Sequence, residues 1–318
     1  LGVSFGGDDV SFNASFDGYA NMSEMNYPNS FEQGAADFHI HEMYATTDVM
    51  GFATLSGGRM ALEFGSGRII GSNDWNMNGN TWDGLMVDLN MDFADISVGY
   101  AAFGYDGNDN LIFDDIYENI HTVSQDYLSD EFTQMMLNVG KEMGNMSFDF
   151  TYVMADNEWS DGEAFTEEVT AMGLEAAYTL DMGATLNFGY YSAETDDAND
   201  FEMGLTTVGA SYEVMDGLTA HASYDMYDEN GFWMPTSNNL GWGAGTGSMI
   251  IMEEGTNMSF GADYDMGDFK FGFMMNNFEG EEEDGFDATT IESMDFGASY
   301  TFNENASLGI KYSTNTNN

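Results

Sequence analysis

The stretch FEMGLTTVGASYEVMDGLTAHASYDMYDE, residues 201–229, decides how the rest of the chain is read. Its first half sets Val208, Ala210, Tyr212 and Val214 on one parity and Thr207, Gly209, Ser211 and Glu213 on the other. A period of two is the mark of a strand with two unlike faces. Met215, Asp216 and Gly217 make a turn, after which Leu218, Ala220, Ala222, Tyr224 and Met226 alternate with Thr219, His221, Ser223 and Asp225. Two such runs joined by so short a link read as an antiparallel hairpin, apolar on one face and polar on the other.

One hairpin has two destinations for its apolar face, a second sheet or lipid. Repetition chooses between them. The unit recurs along most of the chain, with Gly/Asp/Asn turns at one end, long acidic connections at the other, and Tyr or Phe near strand ends. This predicts an all-β transmembrane antiparallel β-barrel, apolar toward lipid and polar toward water, with short periplasmic turns and long acidic outer loops. About 15 strands are recognisable, and since such barrels favour even numbers, about 16 are expected, within a range of about 14 to 18. A barrel of that size encloses an aqueous channel rather than a packed interior.

Composition agrees. Among 318 residues there are 38 Gly and 2 Pro, as suits many strands and tight turns. No run approaches the roughly 18 apolar residues of a helical membrane span, so only strands could carry this chain across a bilayer. Asp and Glu total 56 against 5 Lys and Arg, a net charge of −51. Such a polyanion is repelled by phosphate backbones, which excludes nucleic-acid binding. The charge calls for screening salt, divalent cations, or dispersal along a watery lumen and exposed loops. Cysteine is absent, which removes disulfides and thiolate chemistry together. No export leader is visible at Leu1, so the start reads as that of a mature or truncated chain.

Along the chain, Val10, Phe12, Ala14 and Phe16 open a first strand, residues 38–46 a second carrying His39 and His41, and residues 52–64 a third. In the third, Met60, Leu62 and Phe64 oppose Arg59, Ala61 and Glu63. Gly58-Arg59-Met60-Ala61-Leu62-Glu63-Phe64-Gly65, then Arg68-Ile69-Ile70-Gly71-Ser72, Trp75, and Thr81-Trp82-Asp83-Gly84-Leu85 follow. Over residues 58–85 this resembles alginate-export-type outer-membrane porins, and the resemblance implies a porin barrel. Hairpins follow in order to a final pair at 291–302 and 306–312, with a polar tail or an incomplete end beyond.

The connection at 104–132 is the longest. Ile112, Ile116, Ile120 and Val123 are spaced for a short helix, with Asp114 and Asp115 where a helix start favours negative charge. By analogy with porins it folds inward and constricts the pore, with Asp114, Asp115 and Glu118 at the constriction; an outer loop lying over the rim is the competing expectation. Asp106, Asn108, Asn110 and Asp114 also have the alternate spacing of a calcium-binding loop, although Leu111 stands where such a loop wants glycine.

The 26 methionines fall largely on the apolar parity and read as lipid-facing filler rather than a soft-metal site. His39, His41 and His221 take the polar side and read as lumen polarity. Arg59, Glu63, Asp88, Asp149, Glu175, Glu213, Asp225, Asp263 and Asp295 take the polar parity and are the expected pore lining. Lining carboxylates concentrate cations and exclude anions. Five basic residues, Arg59, Arg68, Lys141, Lys270 and Lys311, are too few for a basic ladder.

The expectation is a bacterial outer-membrane porin, a cation-preferring diffusion channel for small hydrophilic solutes. It needs no enzyme chemistry and no cofactor beyond optional calcium. Its surroundings would be outer-membrane lipid and lipopolysaccharide, and a homotrimer is compatible with the sequence. The alternative is a secreted or surface-layer acidic β-protein assembled with calcium, whose apolar faces a second sheet would cover.

Overall fold

The structure is a computed structural model that describes residues 2–7, 10–20, 36–72, 80–105, 131–158, 167–195, 202–232, 234, 237–238, 251, 253–281, 289–303 and 306–317. Its strands are β1 (Gly2–Gly6), β2 (Val10–Ala20), β3 (Ala36–Val49), β4 (Ala53–Met60), β5 (Thr81–Asn90), β6 (Asp95–Tyr105), β7 (Glu131–Met143) and β8 (Met146–Glu158). They continue as β9 (Glu167–Thr179), β10 (Ala184–Thr195), β11 (Glu202–Met215), β12 (Leu218–Tyr227), β13 (Gly255–Asp265), β14 (Phe269–Gly280), β15 (Thr290–Asn303) and β16 (Ala306–Asn317). All 16 lie in one sheet in chain order, each pair antiparallel.

The deciding hairpin is β11–β12. Val208 pairs Tyr224 and Ala210 pairs Ala222 on one face, while Ser211 pairs His221 and Thr207 pairs Asp225 on the other. Gly217 closes the turn at φ +76°, a conformation that side chains with a Cβ rarely adopt. Val208, Tyr212 and Val214 are 42%, 43% and 52% exposed. The same face of β14 and β15 shows Phe271 and Phe296 at 45% and 48%. Among the described residues no second sheet covers this band, so the apolar parity is left for an outside solvent that is itself apolar.

The opposite face is enclosed, because residues that follow β4 reach β9, β10 and β12 across it. Where the strands meet their long connections this inner face is apolar and packed. Trp82, Met86, Met136, Val153, Tyr191, Leu205, Tyr227 and Phe278 form one buried cluster with Met60, Phe64, Ile69 and Ile70. Toward the short turns the inner face is polar, with Ser97 donating to Asp88 at 2.6 Å and Asn138 donating to Asp149 at 2.8 Å.

Three sequence expectations change here. The strand expected at 52–64 ends at Met60, and residues 61–72 leave the sheet. The five residues of β1, Gly2–Gly6, form a strand that the first expected strand at Val10 omitted. Arg59 faces the outer side: it pairs with Asp83 in register, on the parity of Leu55 and Leu85. The apolar partner beside it, Met60, points inward to Trp82. The parity reading inverts because the inner face is apolar at this level.

Trp82 anchors that inner cluster. It is 1% exposed, and its Nε1 donates to Gln134 Oε1 at 3.0 Å. Trp82→Ala is expected to cost about 3–5 kcal/mol through cavity formation and to leave the Gln134 carbonyl unpaired. A thermal melt in detergent checks this; an unchanged midpoint would show that the cluster does not support the fold.

Candidate functional site

After Met60 the backbone turns into the enclosed space. Glycines make the turn: Gly65 and Gly67 hold φ of +55° and +73°. The Gly67 amide donates to Phe64 O at 2.9 Å and the Phe64 amide to Ile70 O at 3.0 Å, closing a compact loop. Phe64, Ile69 and Ile70 are 8%, 2% and 0% exposed; full burial of an aliphatic or aromatic side chain is worth about 1.5–3 kcal/mol. Ile69 stands over Gly173 of β9 beside the Tyr191 ring, where any Cβ on Gly173 would meet both. Grease anchors the segment, leaving its polar tip free to face the interior.

That tip is Gly65 and Ser66, both exposed. The Ser66 amide donates to Glu175 Oε1 at 3.0 Å and its hydroxyl to the same oxygen at 2.8 Å. Ser66 Oγ also lies 3.1 Å from the Tyr191 hydroxyl. Glu175 and Asp149 are direct register partners on β9 and β8, and both converge on Gly65. A Cβ at Gly65 would lie 2.7 Å from Glu175 Oε1 and 2.9 Å from Asp149 Oδ1. Asp149 is held by Asn138 Nδ2 and by Thr151 Oγ1, the latter at 3.3 Å. Like charges placed opposite one another on neighbouring strands repel, so this pair is a fixed negative focus against the tip.

Behind the tip lies a cation. Arg68 sits 3.5 Å from Asp225 Oδ2, with side-chain exposures of 13% and 1%. Burial alone would pull the guanidinium pKa down, but Asp225, Tyr227 and Tyr191 more than offset this and raise it, so Arg68 stays charged. From Asp225 a buried polar track crosses four strands. Asn257 Nδ2 donates to Asp225 Oδ2 at 3.3 Å and to Ser259 Oγ at 3.0 Å. Ser259 Oγ donates to Asn276 Oδ1 at 2.7 Å, and Asn276 Nδ2 to Ser293 Oγ at 3.0 Å.

A second piece of chain meets the first. Phe232 bridges Ile251 and tilts against Tyr191 with ring centroids 5.7 Å apart. The Asn238 amide donates to Gly67 O at 2.9 Å, and Asn238 Nδ2 to Glu63 Oε2 at 3.2 Å. Asn80 Nδ2 donates to both Gly71 O and Ser237 O.

The expected lining residues fall as follows. Asp88, Asp149, Glu175, Glu213, Asp225, Asp263 and Asp295 all stand on the face opposite the exposed apolar band. Glu63 is inside too, but on the crossing segment, where its Oε2 accepts from Ser72 Oγ. Arg59 is not among them: it pairs with Asp83 at 2.9 Å on the outer face. Asp263 lies 3.4 Å from His221 Nδ1, and Glu213 accepts from the Gly217 amide. His41 lies on β3, nine strands along the sheet from His221 on β12, and the side chain of His39 lies outside the described residues. The expected constriction residues Asp114, Asp115 and Glu118, and the calcium-type positions Asp106, Asn108, Asn110 and Asp114, also lie outside them. Sequence reasoning assigns no role to Ser66, Tyr191, Asn238 or the Arg68–Asp225 pair.

One antiparallel sheet of 16 strands, apolar outside, polar within and crossed by its own connection, has the fold of the outer-membrane porins. Solved structures with this architecture include three from Pseudomonas aeruginosa. OpdQ aligns over 99% of this chain and 82% of its own, with 12% identity and a TM-score of 0.66. OccK9 (OpdG) covers 100% and 85%, at 11% and 0.69. OpdK, solved with vanillate, covers 99% and 86%, at 10% and 0.69. At such identities the likeness is one of fold. No protein-family model matches the sequence, and no curated protein does.

Proposed function

We propose that this chain is a porin of the bacterial outer membrane, a passive channel for small hydrophilic solutes that prefers cations. The observation that carries the reading is the register-paired Asp149 and Glu175 converging on the exposed tip at Gly65 and Ser66. Solutes threading the interior pass this negative focus, and confinement between low-dielectric walls strengthens it. The porin-like fold and the uncovered apolar band support the membrane setting. That band also weighs against a secreted or surface-layer protein, which would need a second layer over it. Outer lipid and lipopolysaccharide are the surroundings this reading implies, with acidic connections gathering divalent cations there; a homotrimer is compatible with it.

The local resemblance to alginate-export-type porins falls on residues 58–85, which include the inward segment at 61–72, so in this proposal it marks a shared way of narrowing the barrel. It does not extend to the cargo. Vanillate, the ligand of the OpdK structure, is a carboxylate. A lumen lined by Asp88, Asp149, Glu175, Glu213, Asp263 and Asp295 is proposed to favour the opposite sign of solute. Residues 104–132 are proposed as a further constricting element, with calcium at Asp106, Asn108, Asn110 and Asp114 as an accessory.

Planar-bilayer recording across a potassium chloride gradient tests the reading. The expected reversal potential reports potassium permeating about tenfold faster than chloride. Channels selective for chloride would overturn the cation preference, and a protein monodisperse without detergent would overturn the barrel.

A further inference from the structure

We propose that Asn238 is the positioning residue that fixes the aperture, by latching the inward segment at 61–72 to the connection between β12 and β13. The inference rests on the channel reading above. Two features single out this residue, and a parallel tie beside it supports them. Its backbone amide and side-chain amide engage two different parts of the segment, Gly67 O and Glu63 Oε2. Two of the residues that the segment presents to it, Gly67 and Gly71, are glycines, and a Cβ at either would collide with the Asn238 side chain. A second tie in parallel, Asn80 to Gly71 O and Ser237 O, holds the neighbouring turn at 0% exposure for Asn80.

The arrangement is a clamp between two connections that enter from opposite sides of the sheet order. The residues before β5 are held by Phe64, Ile69 and Ile70 in the apolar cluster, but their depth along the channel axis depends on where the polar edge is pinned. Glu63 is itself exposed, so its carboxylate is available to water once Asn238 is gone. Loss of the latch therefore frees the edge without leaving a buried charge, and the tip at Ser66 can withdraw from Glu175. A wider and less steady aperture results.

The test records single channels of the full-length protein in planar bilayers. Asn238→Ala is expected to raise unitary conductance at least about twofold and to add fast flicker. Asn238→Asp, which sets a carboxylate against Glu63, is expected to do so more strongly, and Asn238→Asp combined with Glu63→Gln to return conductance to near the parent value. Restoration by charge exchange is a readout that general loosening of the fold would not give. If either Asn238 variant does not fold, Gly67→Ala, which pushes the Asn238 side chain aside, is expected to widen the channel likewise. A parent protein that forms no channels overturns the porin reading itself. A parent that conducts, with Asn238→Ala, Asn238→Asp and Gly67→Ala all unchanged, overturns the latch alone.

Discussion

Replacing Asp149 by Asn and Glu175 by Gln together is expected to reduce the potassium-to-chloride permeability ratio about tenfold, to near unity. Coulomb's law sets the size. A unit charge about 6 Å from the ion path contributes about 0.7 kcal/mol even at the dielectric constant of water. Salt at about 0.1 M roughly halves this, but two such charges act with opposite sign on the two ions, so together they separate potassium from chloride by about 1.4 kcal/mol, a factor of ten. Confinement can only enlarge the effect. Both substitutions keep the acceptor oxygens that matter. The amide oxygen introduced by Glu175→Gln can still receive the Ser66 amide and hydroxyl, and that introduced by Asp149→Asn the donors from Asn138 and Thr151. Conductance should therefore change far less than selectivity. Reversal potentials of the double variant decide the matter, and a ratio equal to the parent's would move the selective step elsewhere in the chain.

The strand content was legible because most strands keep one rule. On the short-turn halves of β11, β12, β14 and β15 the outer residues are mostly Ala, Tyr, Phe, Val and Met and the inner ones mostly Ser, Thr, Gly and Asp, so period two reads directly. The rule fails where the inner face is also apolar. Beside Met60, Trp82 and Met86 the interior holds the anchors of the crossing segment, so polarity no longer tells the two faces apart. Parity therefore assigns Arg59 to the lumen, although it lies outside. A signal was present: Ile69 and Ile70 are adjacent apolar residues on both parities, flanked by Gly65, Gly67 and Gly71. A two-faced strand wants neither feature. Parity sets the carboxylates of the strands opposite the apolar band, but which of them meet the tip was not readable. That depends on register between strands and on a segment with no period, neither of which a single sequence displays.

Arg68→Met is expected to open the channel most. The guanidinium is the cation that faces Asp225, whose side chain is 1% exposed and whose Oδ1 has no hydrogen-bond partner among the described residues. Truncating one member of a buried pair leaves the other charged in a poor solvent, at a cost of about 3–5 kcal/mol. The contact is long, 3.5 Å, which places this pair near the lower end of that range. Arg68 belongs to the crossing segment and Asp225 to the wall, so the penalty is relieved by moving the segment away and admitting water to Asp225. A several-fold rise in unitary conductance should follow, with the mobility of the folded barrel on gels unchanged, because no strand pairing depends on Arg68. The double variant with Asp225→Asn removes the stranded charge while keeping an oxygen for Asn257 Nδ2, and should bring conductance most of the way back. If Arg68→Met conducts like the parent, the segment is held by its apolar anchors and by the Asn238 and Asn80 ties, and the ion pair has no part in setting the aperture.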